Sequence, residues 1–196
     1  MSLKLVTGPT TEPITLDDAK KQLEIALGDT THDEHVSRLI TSARRDVERI
    51  TRRALITQTW RRKLNAFYEP VILLPRPPLI SVSSVTYFDS DGVSQSLSSS
   101  LYQVDTESAP GSIRPGPNEV WPVTQVSKVG AITITFVAGF GDRTSVPEEY
   151  KELIRGLVAF RFWSRGDLDA KIPDHLMWAM KSLRCGVHSG YYGIID

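Results

Sequence analysis

The apolar residues of this chain change period twice, and that change limits the folds open to it. Up to about residue 54 they recur at helical spacing. From 55 to about 140 they alternate or cluster in short β-branched and aromatic runs, and after Pro147 the helical spacing returns. A helical protein interrupted by strands has to bury two kinds of apolar surface, a stripe on each helix and a face on each sheet. The fold class expected is therefore α+β, with two N-terminal and two C-terminal helices forming a core and an antiparallel β-subdomain inserted between them. The expected organisation is a first helical part at 1–54, the β-rich insertion at 55–142, a second helical part at 143–185 and a tail at 186–196.

Local signals support each element. Thr15 is placed to cap a first helix that runs to Gly28. Asp17 and Asp18 lie in its first turn, where the helix dipole favours carboxylates. A second helix is expected over 33–52, with Val36, Leu39, Ile40, Ala43, Val47 and Ile50 on one face. Strands are expected around 56–64, 71–74, 81–88, 93–97, 102–104, 112–114 and 131–138. Pro75-Arg76-Pro77-Pro78 separates two of them, and Asp89-Ser90-Asp91-Gly92 turns a hairpin. Pro147 opens a third helix ending near Gly166, and Pro173 with Asp174 opens the last. The tail, with Tyr191, Tyr192, Ile194 and Ile195, shows no periodicity.

Hydrophobic residues make up 40% and charged residues 23% of the 196, which argues against a disordered chain. Nowhere do about 18 apolar residues run together, so no membrane span is expected. The N-terminal residues lack the apolar core of a secretion signal. A single cysteine, Cys185, cannot form an internal disulfide and fits synthesis in a reducing cytoplasm. Net charge is zero but unevenly spread: −4 over residues 1–37, +7 over 38–63 and −3 over the rest. The positive band holds Arg44, Arg45, Arg49, Arg52 and Arg53 and runs on through Arg61-Arg62-Lys63. Such a band either faces an anionic partner or is a solvated helix face with i,i+4 partners.

Catalytic patterns are missing from the sequence. His32-Asp33-Glu34-His35 has the residue types of a zinc site without its spacing or a distal ligand cluster, and a helix cap with exposed histidines is expected instead. Asp89-Ser90-Asp91-Gly92 lacks the later ligands of a calcium loop. Gly139-Phe140-Gly141-Asp142 lacks the third glycine and the lysine of phosphate-binding loops, and is expected to be a turn leaving a strand. No nucleophile elbow occurs. No catalytic residue, metal or cofactor is assigned.

Taken in order, several segments resemble the head–tail connector (head-completion adaptor) proteins of tailed bacteriophages, prophages and gene transfer agents, in the branch with a β-rich insertion. They are Ile14-Thr15-Leu16-Asp17-Asp18-Ala19-Lys20, the helix at 33–53 leading into Ala54-Leu55-Ile56-Thr57-Gln58-Thr59-Trp60, and Leu74-Pro75-Arg76-Pro77-Pro78-Leu79. Tyr102-Gln103-Val104-Asp105 and Ile132-Thr133-Ile134-Thr135-Phe136-Val137-Ala138-Gly139-Phe140-Gly141 follow, and then the helix from Val146-Pro147. The resemblance implies a non-enzymatic virion protein at the head–tail interface, made in the bacterial host cytoplasm. It implies a ring matching a portal's twelvefold symmetry, which extends the DNA channel and docks a tail-side head-completion or stopper protein. The implied partners are the portal protein, neighbouring copies and genomic DNA passing without sequence specificity. On that basis Arg44, Arg45, Arg49, Arg52 and Arg53 are expected at subunit or portal contacts, and Tyr191, Tyr192, Ile194 and Ile195 in a portal-docking tail. The alternative is a DNA-binding protein that uses the arginine-rich helix 33–53.

Overall fold

The computed structural model describes residues 2–165, 167 and 170–186. The chain divides into two units. One joins the residues up to Pro9 to Thr57–Gly139; the other joins Thr10–Ile56 to the chain from Phe140 onward. The α+β class expected from the sequence is the class observed.

The helical unit contains α1 (Leu16–Gln22), α2 (Asp33–Thr51), α3 (Glu148–Trp163) and α4 (Asp174–Ser182). Thr15 caps α1 through a reciprocal capping box. Its hydroxyl accepts from Asp18 N–H at 2.9 Å while the Asp18 carboxylate accepts from Thr15 N–H at 3.0 Å. The helix ends at Gln22, well before Gly28. Lys20, only 2% exposed, takes its three acceptors from the segment that follows: Leu27 O at 2.8 Å, Asp29 O at 2.6 Å and Asp33 Oδ1 at 2.8 Å. A buried ammonium needs such acceptors, and these carbonyls satisfy it as a loop. On α2, Val36, Ile40, Ala43 and Val47 are buried at helical spacing, and Arg52 in the left-handed region (φ 58°) ends the helix. They pack with Ile14, Leu23, Tyr150, Ile154, Leu157, Phe162 and Met180 in one core. Fully burying a side chain of this size contributes about 1.5–3 kcal/mol.

The β unit holds two antiparallel sheets. One has the order β1 (Ser2–Thr7), β2 (Gln58–Leu64), β8 (Ile132–Ala138), β4 (Leu79–Phe88), β5 (Ser94–Ser96). The other has the order β3 (Ile72–Leu74), β7 (Gly111–Pro115), β6 (Tyr102–Asp105). Strand β8 shows the plainest pleat: Ile132, Ile134, Phe136 and Ala138 are buried on one face, and Thr133, Thr135 and Val137 stand on the other. Gly111 in β7 is required by close approach. A Cβ there would lie 2.5 Å from Leu79 Cβ and 2.8 Å from Asp105 O.

Strand β1 has no counterpart in the sequence reading, which places its first element at Thr15. All six of its residues are exposed, so it carries no burial alternation, and its place at the sheet edge comes from the ladder with β2.

Candidate functional site

The structure divides the arginine band by role. Arg44, on the same stripe of α2 as Ile40 and Val47, is buried between two carboxylates. Its Nε donates to Glu12 Oε2 at 2.7 Å, and one terminal nitrogen donates to Glu48 Oε2 at 2.7 Å. The carboxylates are held in turn: Glu48 Oε1 accepts from Leu55 N–H at 2.9 Å and Glu12 Oε1 from the Thr41 hydroxyl at 2.9 Å. Burial pulls the Arg44 pKa down, but the hydrogen bonds and charges of Glu12 and Glu48 outweigh it and leave the guanidinium above its ordinary value. Arg44 therefore ties α2 to the chain ahead of α1. Its i,i+4 spacing to Ile40 and Glu48 is the sequence signal that marks it as buried and paired.

The other arginines face outward to different degrees. Arg45 is exposed and, among the described residues, forms no ion pair. Arg49 is exposed beside Asp46 at 3.1 Å, and Asp46 also accepts from Arg161 of α3. Arg52 and Arg53 are half-buried past the end of α2, and Arg53 Nε donates to Leu183 O at 3.3 Å. Tyr191, Tyr192, Ile194 and Ile195 lie outside the described residues.

The last three residues of the band fall on β2, where the pleat separates them. Arg62 points to the buried face and is 8% exposed, while Arg61 and Lys63 point to the opposite one. Strand β1 adds Lys4 directly across from Arg61.

The histidines of His32-Asp33-Glu34-His35 correct the sequence reading. Both rings are half-buried and pack against Phe162 of α3, with centroids at 5.5 and 6.0 Å. A residue 130 positions away supplies the apolar surface, so sequence alone gives no sign of it. Among the described residues no group of three or more His, Cys, Asp or Glu is arranged to hold a metal. Asp142, after Gly139 and Gly141 (φ 132° and 123°), accepts from the N–H and hydroxyl groups of Thr144 and Ser145, and these bonds hold its pKa below the ordinary carboxylate value. It closes a turn and then α3 begins. Cys185 is buried, and its N–H donates to Thr51 O at 2.9 Å. A groove of about 520 Å³ in the helical unit is floored by Leu153, Gly156, Leu176 and Leu183 with Glu149 and Glu152 on its rim. Its one hydroxyl among the described residues, that of Ser182, donates to Ala179 O at 2.8 Å. No helix among the described residues is long and apolar enough to cross a membrane.

Fold and surfaces together define an α+β protein whose helical unit is interrupted by an antiparallel β unit, and whose charged groups serve either internal ion pairs or open faces. No family model matches the sequence, nor does any curated protein. Solved structures do share the fold. A chain of the virion of a native gene transfer agent particle superposes with a TM-score of 0.80 at 21% identity, over 97% of this chain and 99% of that one. A chain from the neck of an empty gene transfer agent particle, computed with C6 symmetry, gives 0.81 at 22% identity over the same shares. One from the neck of the native particle, computed with C12 symmetry, gives 0.73 at 21% identity, again over 97% and 99%. At these identities the shared property is the fold, and it extends through both units.

Proposed function

We propose that this chain is a structural, non-enzymatic subunit of the neck of a tailed-phage-like particle. In this reading it is an adaptor that forms a ring under the portal, extends the DNA channel and docks the next head-completion or tail protein. The observation that carries the reading is the fold shared along 97% of the chain with proteins of gene transfer agent necks solved in C6 and C12 symmetry. A ring needs two different, mutually complementary faces on each subunit. Arg45 and Arg49, exposed at i,i+4 on α2, with Arg52 and Arg53 beyond its end, are the candidates for subunit or portal contacts. The segment 186–196, with Tyr191, Tyr192, Ile194 and Ile195, is the candidate portal-docking tail.

The alternative, a DNA-reading helix at 33–53, is disfavoured by the geometry. The face of α2 that carries Arg44 is buried, and Arg38, Arg44 and Arg49 are all engaged by carboxylates.

The test is native mass by size exclusion with light scattering, backed by negative-stain images, alone and after mixing with portal protein. The expected outcome is a closed ring, formed either by the protein alone or on the portal, with portal binding lost when 186–196 is deleted. A monomer that ignores the portal would refute the reading.

A further inference from the structure

Four cations collect on one face of the five-stranded sheet. Lys4 of β1 stands directly across from Arg61 of β2, and Ser2 across from Lys63. On the other side of β2, Arg61 meets Thr135 and Lys63 meets Thr133 of β8, which are opposed in turn by Ser84 and Thr86 of β4. Directly opposed residues share a face. Two rows therefore cross the sheet, Lys4–Arg61–Thr135–Ser84 and Ser2–Lys63–Thr133–Thr86, with the cations on β1 and β2 and only hydroxyls beyond them. Lys128 joins them with its Nζ 3.6 Å from the ring centre of Phe88, two residues beyond Thr86. No aspartate or glutamate occupies a strand position on this face. Among the described residues none of Lys4, Arg61, Lys63 and Lys128 forms an ion pair.

This arrangement works against the sheet's own stability. Like charges directly opposite on neighbouring strands are unfavourable, and a carboxylate at position 4 would have turned the pair favourable. An edge lysine does protect β1 from pairing with a foreign strand. Edge protection does not account for Arg61 and Lys63, which lie on the interior strand β2, nor for the lack of carboxylates.

We propose that this face binds the phosphate backbone of nucleic acid without reading its sequence. Lysine, arginine, serine and threonine side chains are the groups that bind phosphate oxygens, the cations by charge and the hydroxyls as donors. On one strand, side chains of the same face repeat at about 6.8 Å, which presents donors at regular intervals to a regularly charged polymer. The inference deepens the neck reading, since it names the polyanion this face would meet, but its test needs neither ring nor portal.

The test is fluorescence anisotropy of the full chain with a labelled 30-base-pair duplex, between 20 and 200 mM KCl. Four phosphate contacts predict a slope of log K against log salt of about −3.6 per protomer. The K4Q/K63Q variant, changed at two exposed positions, is expected to bind roughly tenfold or more weakly at 20 mM and to flatten the slope by about 1.8. R61Q alone flattens it by about 0.9. K181Q, at an exposed cation of α4 in the helical unit, leaves it unchanged. Absence of saturable binding at 20 mM overturns the inference, as does a slope that K4Q/K63Q does not move. Competition by polyglutamate as strong as by unlabelled duplex also overturns it and reassigns the face to an acidic protein partner. A ring that assembles on the portal but ignores duplex sinks this inference and keeps the neck reading. A protein that binds duplex through Lys4 and Lys63 but ignores the portal does the reverse.

Discussion

Replacing Arg44 by methionine tests the claim that the centre of the arginine band serves folding. Arg44 is 7% exposed, Glu48 11% and Glu12 27%. Methionine keeps much of the length and apolar stem while removing the charge, so packing changes little and electrostatics change a great deal. Deleting one partner of a buried ion pair costs about 3–5 kcal/mol, because the charge left behind is neither solvated nor paired. Glu12 is exposed enough to regain water. Glu48 is not, although Leu55 N–H still engages one of its oxygens. The lower end of the range, about 3 kcal/mol, is the expected loss.

All four α-helices among the described residues lie in the helical unit, so ellipticity at 222 nm reports mainly on that unit. With a urea m-value of about 1–3 kcal/mol/M, the R44M midpoint should fall by roughly 1–3 M. The triple variant E12Q/R44M/E48Q removes every charge in the network and keeps acceptors for Thr41 and Leu55. It should recover most of the loss, because the penalty comes from the stranded charge rather than from a missing attraction. An R44M midpoint within about 0.5 kcal/mol of wild type, or a triple variant no better than R44M, would refute the reasoning.

Arg45 and Arg49 give the contrasting outcome: R45E/R49E should leave the helical melt within about 0.5 kcal/mol of wild type and abolish ring formation or portal binding by light scattering. The capping box predicts that T15A costs about 1 kcal/mol in urea melts. Thr15 N–H and its hydroxyl hold the Asp18 pKa below the ordinary 3.8, so the stability Asp18 supplies is complete above that value and is lost as pH falls through the lowered one. In T15A that acid loss should shrink. G111A forces a methyl against Leu79 and the Asp105 carbonyl and should destabilise the β unit by about 1–3 kcal/mol, seen in tryptophan fluorescence during urea unfolding. K4E turns an opposed like-charge pair into an ion pair and should raise the melting midpoint by about 0.2–1 kcal/mol in stability while weakening duplex binding.

Legibility from sequence followed burial. The stripe of Val36, Ile40, Ala43 and Val47 and the alternation of Ile132, Ile134 and Phe136 are buried as their periods indicate, because each face packs on a core that rewards that period. The capping residues of α1 were equally readable, since Thr15 and Asp18 act within one turn. What escaped is what depends on distant or absent surface. Strand β1 is exposed along its length and exists only because β2 offers an edge. Gly28 looks like a helix stop, but α1 ends earlier, where Glu24 enters the left-handed region (φ 58°) and Ile25 N–H and Glu24 N–H donate to Lys20 O at 2.9 Å and Lys21 O at 3.2 Å. The histidines at 32 and 35 look solvated until Phe162 arrives from α3.

The positive band over 38–63 is the instructive case, because one run of charge divides between buried and open positions in both units. Arg44 is neutralised inside the helical unit, where its two carboxylates are part of the fold. Arg62 turns to the buried side of β2, while Arg61 and Lys63, one pleat away, turn to an open face that already carries Lys4. A buried cation must bring its counter-charge along the same chain, since water cannot reach it. A cluster left open and unpaired costs stability through self-repulsion, and a partner that carries the missing charge relieves that cost. The chain supplies carboxylates for Arg44 and none on the strand positions of the sheet face, and the counter-charge we propose for Lys4, Arg61 and Lys63 is the phosphate of a nucleic acid.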